Sequence, residues 1–79
     1  MSDTLKKEIT DMLMEIDDSI DYEEETHLVD DHLLDSFGII TLIADLKDRY
    51  GVSVNAAELV PENLNSVDAI CEMVRKLKA

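Results

Sequence analysis

The stretch Asp30-Asp31-His32-Leu33-Leu34-Asp35-Ser36-Phe37-Gly38-Ile39-Ile40-Thr41-Leu42-Ile43 decides how this chain is read, because a long acidic segment ends in it and an apolar-periodic one begins. At the junction stands a lone serine, Ser36, followed by Phe37 and Gly38. Serine is among the best residues for starting a helix, since its hydroxyl accepts a hydrogen bond from a backbone N–H of the first turn. The N–H groups and the positive dipole end at the same place favour an anion, phosphate above all. Gly38 is expected to leave the backbone uncovered beside that hydroxyl, so that a bulky group can approach. Ser36 is therefore either a plain cap or an attachment point for something that carries phosphate.

Downstream of the junction a helix is expected from Ser36 to Tyr50, closed by Gly51 in the left-handed conformation. At about 100° per residue, Gly38, Thr41, Asp45, Asp48 and Arg49 share one side, and Ile39, Leu42, Ile43, Leu46 and Tyr50 share the opposite side and read as core. Phe37, Ile40 and Ala44 extend the apolar arc beyond one buried face, broken only by Lys47. Core packing is the ordinary explanation for each. An arc this wide in so small a domain nevertheless points to a second surface that meets a partner or a cargo.

Upstream, residues 18 to 35 form a connection longer than a compact domain usually keeps without a function or local structure. Leu28, Val29, Leu33 and Leu34 are expected to pin it to the core. Before it, Leu5, Ile9, Met12, Leu13 and Ile16, with Ile20 beyond, follow helical spacing. The first helix is placed over Thr4 to Asp17, with Ser2, Asp3 or Thr4 as its cap. The acids of the connection invite a calcium loop, since Asp17, Ser19 and Asp21 occupy the first, third and fifth places of one register. Tyr22 then stands where glycine is needed and Leu28 where the closing glutamate belongs. The register from Asp21 fails in the same places, with Thr26 and His32. An EF-hand is not supported; weak divalent-ion binding by the acidic loop stays open.

His27 and His32 lie near Ser36 in sequence and raise nucleophilic catalysis, but the serine has no G-x-S-x-G elbow and no second glycine for an oxyanion hole. No catalytic residue is assigned. Zinc fails because Cys71 stands alone and the histidines have no partner pattern; no metal ligand is assigned.

Past Gly51, Val52-Ser53-Val54 reads as a short extended link with both valines inward, and Asn55 to Leu59 as one helical turn capped by Asn55. Pro61 starts another short turn anchored by Leu64. The last helix runs from a cap at Asn65 or Ser66 to about Lys78, with Val67, Ile70, Cys71, Val74 and Leu77 inward and Arg75, Lys76 and Lys78 at the negative end of its dipole. Cys71 sits in the apolar stripe and reads as a small buried hydrophobe.

Seventy-nine residues make one domain, 1–79, close to the lower limit for a self-sufficient core. With 46% hydrophobic residues, no Trp, and Phe37, Tyr22 and Tyr50 as the aromatics, the core must be aliphatic, which suits small packed helices; two glycines and one proline leave little for hairpins. One cysteine rules out an internal disulfide and fits a reducing compartment. No apolar run reaches the roughly 20 residues of a membrane span, and Met1-Ser2-Asp3 does not open a signal peptide, so stable membrane insertion is not expected and a cytoplasmic location is. The net charge of −12 disfavours nucleic acid and anionic membrane. The imbalance lies in residues 8 to 35, where acids run from Glu8 to Asp35 with no Lys or Arg between them. Solubility is the commonest reason for such a surface. Its placement beside Ser36 adds another, attraction of basic partners, strongest at low salt.

A helix, a long loop, a helix starting at a serine, a short helical segment and a final helix, with Leu33-Leu34-Asp35-Ser36-Phe37 at the centre and an acidic surface, resemble the carrier-protein superfamily of acyl, peptidyl and D-alanyl carriers. The resemblance covers nearly the whole chain, and from Leu28 to about Leu77 it looks nearest to the D-alanyl branch, in the Leu33-Leu34-Asp35-Ser36-Phe37-Gly38 run and the Gly51-Val52-Ser53-Val54 link. It implies an all-α fold: a small four-helix bundle of the acyl-carrier type, with three main helices, a short third one and a long loop between the first and second.

It also implies 4′-phosphopantetheine, taken from coenzyme A, on the Ser36 hydroxyl, with Asp35 in the motif read by a phosphopantetheinyl transferase and Gly38 giving clearance. Partner docking would fall to Phe37, Ile40, Thr41, Ala44, Asp45 and Asp48. The resemblance further implies a monomeric, non-catalytic carrier of a thioester-bound acyl or aminoacyl group, loaded by an adenylating ligase or other acyl-loading enzyme and discharged by an acyltransferase. Many fatty-acid carriers have acids after the motif and along the second helix where this chain has Gly38, Thr41 and Lys47, with Asp45 and Asp48 left, which favours an adenylating ligase as the loading enzyme over the fatty-acid enzymes. A small cargo such as D-alanine needs no wide internal cavity, and an aliphatic core without Trp can also open for an acyl chain. A fatty-acid or polyketide-type carrier is the alternative. A further one is a non-catalytic acidic adaptor in which Ser36 only caps and the Phe37–Ile40 face binds a basic amphipathic partner.

Overall fold

Four α-helices and no strand make up the described residues, in the order α1 (Ser2–Ile16), α2 (Ser36–Tyr50), a 3-10 turn (Ala56–Glu58), α3 (Pro61–Leu64) and α4 (Val67–Lys78). This computed structural model describes the backbone of residues 2–78 and the side chains of 4–78. The small four-helix bundle expected from the sequence is the fold. Helix α1 begins at Ser2 and ends at Ile16, so Asp3 and Thr4, offered as caps, lie inside it, and the side chains of Ser2 and Asp3 fall outside the described part.

Burial follows the apolar spacing. Ile9, Met12 and Leu13 of α1, Leu42 and Leu46 of α2, and Val67, Ile70, Cys71, Met73 and Val74 of α4 form the core, with Leu64 of α3 and Val52 of the link. Each fully buried aliphatic side chain contributes about 1.5–3 kcal/mol over an exposed one. Helix α1 packs on both α2 and α4, and α3 packs on α4. At Tyr50 the C-terminal ends of α2 and α4 meet the middle of α1. Its hydroxyl donates to the Glu8 carboxylate, and the Lys78 ammonium lies 5.3 Å from its ring centre. Burial first, then the Glu8 bond, pushes the Tyr50 phenol up to about 12.

The connection from Asp17 to Asp35 lacks regular helix but is tightly tied down. Leu28 and Leu34 are buried and Val29 and Leu33 pack against the core, as the sequence indicated. Ile20 and Tyr22 are also buried, and Tyr22 donates its hydroxyl to the backbone oxygens of Leu13 at 3.0 Å and Asp17 at 2.7 Å. Burial, reinforced by Asp17 and Asp18, pushes this phenol up to about 12. The Asp17 carboxylate is taken by Ser19, accepting from its hydroxyl at 2.6 Å and its N–H at 3.0 Å, which holds that acid below its ordinary range.

Gly51 closes α2 as expected, at φ 69°, with its N–H donating to the Lys47 oxygen at 2.9 Å. Asn55 caps the 3-10 turn by accepting from Ala57 N–H at 3.0 Å. Of the two caps proposed for α4, Ser66 is the one used: its hydroxyl oxygen accepts from Ala69 N–H at 3.1 Å. Asn65 turns instead to the long connection, where its side-chain oxygen accepts from the N–H groups of Val29 and Asp30.

Candidate functional site

The start of α2 is built by Asp35. Its backbone is extended (φ −86°, ψ −177°), its carboxylate accepts from Gly38 N–H at 2.8 Å and its carbonyl from Ile39 N–H at 2.9 Å. The capping role that the sequence offered to Ser36 therefore belongs to its neighbour, because an aspartate one position earlier reaches the same first-turn donor. Ser36 becomes the first residue of the helix, exposed, with its hydroxyl left out of the cap. Among the described residues, its own N–H and that of Phe37 have no acceptor, as befits the first donors of a helix.

Gly38 has a different place from the one expected. It is buried, and a Cβ there would meet Leu34 Cδ1 at 2.8 Å and Ile16 Cγ2 at 3.3 Å. The space that glycine frees is filled by the protein's own loop and by the end of α1, so Gly38 brings α2 close to them and is not an open approach to Ser36. Gly38 also moves from the outer side of α2 to its buried face, with Leu42 and Leu46 one and two turns on.

The outer face of α2 carries Phe37, 83% exposed, and Ile40, 65% exposed, with Thr41, Ala44 and Asp48 also exposed on the same arc. Asp45 is half-buried at its edge. Between this edge and the end of α1 opens a cleft of about 590 Å³, lined by Glu15, Ile16, Asp35, Phe37, Gly38, Thr41 and Asp45. The structure thus unites Asp35, Phe37, Gly38, Thr41 and Asp45 around one cleft, and sets Ile40, Ala44 and Asp48 on the outer face beside it. Glu15 and Ile16 were not singled out in the sequence as site residues. Ile16 reads there as part of the apolar stripe of the first helix and Glu15 as one acid of the run from Glu8 to Asp35, and only the packing of α1 on α2 brings them here.

The remaining nucleophiles and ligands stand apart. Burial raises the pKa of the Cys71 thiol, which keeps it protonated within the core of α4. His27 and His32 are exposed, His27 with a 3.1 Å contact to Thr26 Oγ1 and His32 in a left-handed turn at φ 58°. Among the described residues no group of three His, Cys, Asp or Glu side chains is arranged to hold a metal ion. The chemistry on offer is one open primary hydroxyl at a helix start, with unclaimed N–H donors beside it. That donor set fits a serine-linked phosphodiester.

Comparison with known proteins agrees with this geometry. A family model described as the phosphopantetheine attachment site matches residues 3–74. The chain is 28% identical over 75 residues to the D-alanyl carrier protein of Bacillus velezensis, a match covering 92% of this chain and 96% of that protein.

Proposed function

This chain belongs to the phosphopantetheine attachment site family, and we propose that Ser36 is the residue that carries the group. The observation that carries this reading is the division of labour at the start of α2: Asp35 caps the helix, which leaves the exposed Ser36 hydroxyl without a structural duty. The family's cofactor is 4′-phosphopantetheine, held covalently. When bound it supplies a thiol on which an acyl or aminoacyl group rides as a thioester. The chain's own residues offer the oxygen, hold it at a fixed helix start, and set Ser36 and Phe37 N–H donors beside the linkage. The hydroxyl needs no base within the chain, because a phosphopantetheinyl transferase using coenzyme A supplies the catalysis. The protein is a substrate of its partners and not itself an enzyme.

Residues 1–79 act as one carrier domain, monomeric and cytoplasmic. The exposed Phe37, Ile40, Thr41, Ala44 and Asp48, with Asp45 at the edge, form the face on which transferase, adenylating ligase and acyltransferase dock in turn. The acids of residues 8 to 35 steer basic patches on those enzymes toward it. The cargo is D-alanine, a reading supported by the likeness to a D-alanyl carrier protein across most of both chains. The test is loading of the phosphopantetheinylated protein with labelled D-alanine by an adenylating ligase and ATP. The expected result is label that hydroxylamine releases, on the wild type and not on Ser36→Ala. Label on Ser36→Ala would overturn the attachment site, and labelling by fatty acids in place of D-alanine would overturn the cargo.

A further inference from the structure

We propose that Asn65, at the junction of α3 and α4, is a positioning residue for the Ser36 site. This inference rests on the reading of Ser36 as the attachment point. Asn65 is far from Ser36 in sequence but sits at the head of a chain of hydrogen bonds that ends beside it. Its carbonyl oxygen accepts from Leu28 N–H at 2.9 Å. Its side-chain oxygen accepts from Val29 N–H at 3.0 Å and Asp30 N–H at 3.1 Å, and its amide nitrogen donates to the Asp30 carboxylate at 3.1 Å. Leu28 passes the restraint on, since its carbonyl accepts from Leu34 N–H at 2.8 Å. The Leu34 side chain in turn fills the space above Gly38, and the next residue is the capping Asp35.

Among the described residues, every side-chain hydrogen bond from the helical body to residues 28–30 comes from Asn65. The work demands an acceptor and a donor on one short side chain, which is the amide's inventory. Aspartate would keep the acceptor, lose the donor and set a second carboxylate against Asp30. With this fastening lost, the segment before Ser36 opens locally more often. A transferase that needs the ordered form then meets a smaller competent fraction, so its KM for the carrier rises by the inverse of that fraction while kcat is unchanged. A residue that served only global stability would leave both constants of the folded protein alone.

The experiment measures kcat and KM for transfer of phosphopantetheine from coenzyme A by a broad-specificity transferase, on the wild type, Asn65→Ala, Asn65→Asp and the exchanged pair Asn65→Asp with Asp30→Asn. Amide hydrogen exchange is followed at Leu34 and at Ile70 of α4. The expected result for Asn65→Ala is a KM raised about tenfold with kcat within about twofold, and faster exchange at Leu34 but not at Ile70. Asn65→Asp behaves alike, and the exchanged pair regains most of the loss by restoring one donor facing one acceptor. An unchanged KM in the folded variants, or exchange at Leu34 and Ile70 rising together, would overturn the proposal. If Asn65→Ala does not fold, Asn65→Asp and its rescue decide it. A wild type that accepts no group at all, with exchange at Leu34 still set by Asn65, marks the failure of the Ser36 reading and not of the fastening.

Discussion

Helices α2 and α4 are both amphipathic, yet they end differently. In α4 the large apolar residues Val67, Ile70, Met73 and Val74 are buried and Leu77 packs on the core, while Asp68, Glu72, Arg75, Lys76 and Lys78 take the water side. In α2 the core takes Leu42 and Leu46, and Phe37 and Ile40 stay outside, 83% and 65% exposed. A scaffold helix uses up its hydrophobic residues on its neighbours. A helix with apolar residues left over, starting at an exposed serine, has something further to meet.

The largest effect that sharpens this contrast is in the shared core. Leu42→Ala should lose about 2–5 kcal/mol, read as a fall in urea midpoint, because Leu42 is fully buried between helices. Next comes Tyr22→Phe, which takes the phenol donor from the Asp17 carbonyl and leaves the Leu13 carbonyl with the Asp17 N–H alone; it should cost roughly 1–3 kcal/mol. The same phenol makes stability depend on pH. Its pKa is raised from 10.0 to about 12 in the folded chain, so its contribution is intact below about pH 10 and is lost as pH rises through 12. Urea melts between pH 9 and 12 should show a smaller loss for Tyr22→Phe than for the wild type; equal slopes would refute the assignment.

Asp35→Ala removes the α2 cap and should cost about 0.5–2 kcal/mol, with fraying at the first turn visible as faster exchange of the Gly38 amide. Ser36→Ala, by contrast, should leave stability almost untouched, since Ser36 does not cap. Phe37→Ala and Ile40→Ala should likewise change stability little, within about 0.5 kcal/mol. These two should instead raise the transferase KM for the carrier. A large drop in melting temperature with unchanged KM would make them core residues after all and erase the contrast between the helices.

What the sequence disclosed and what it hid divide along a physical line. Helical spacing, Pro61, Gly51 and the polar caps are local signals, so α2, the 3-10 turn, α3 and the buried stripe of α4 were legible. At the site, packing removed one of two alternatives for Ser36 and changed the place of Gly38, for different reasons. Asp35 and Ser36 can both cap a helix, and only the backbone decides which one reaches Gly38 N–H. Gly38 reads as an open approach until Leu34 and Ile16 are packed into its vacancy. The ties made by Tyr22 and Asn65 were missed for another reason: Asn65 reads locally as a cap, and neither residue's distant partner leaves a local signature. Tyr22 donates to a carbonyl 9 residues away and Asn65 binds residues 35 and 36 positions away, distances over which no sequence period carries information.

The most direct test of the whole reading is intact mass after incubation with coenzyme A and a broad-specificity phosphopantetheinyl transferase, for the wild type and for Ser36→Ala in parallel. One phosphopantetheinyl group gained by the wild type, and none by a Ser36→Ala protein of undiminished stability, is the expected result. A folded wild type that gains nothing, or a Ser36→Ala protein that is still modified, would contradict it.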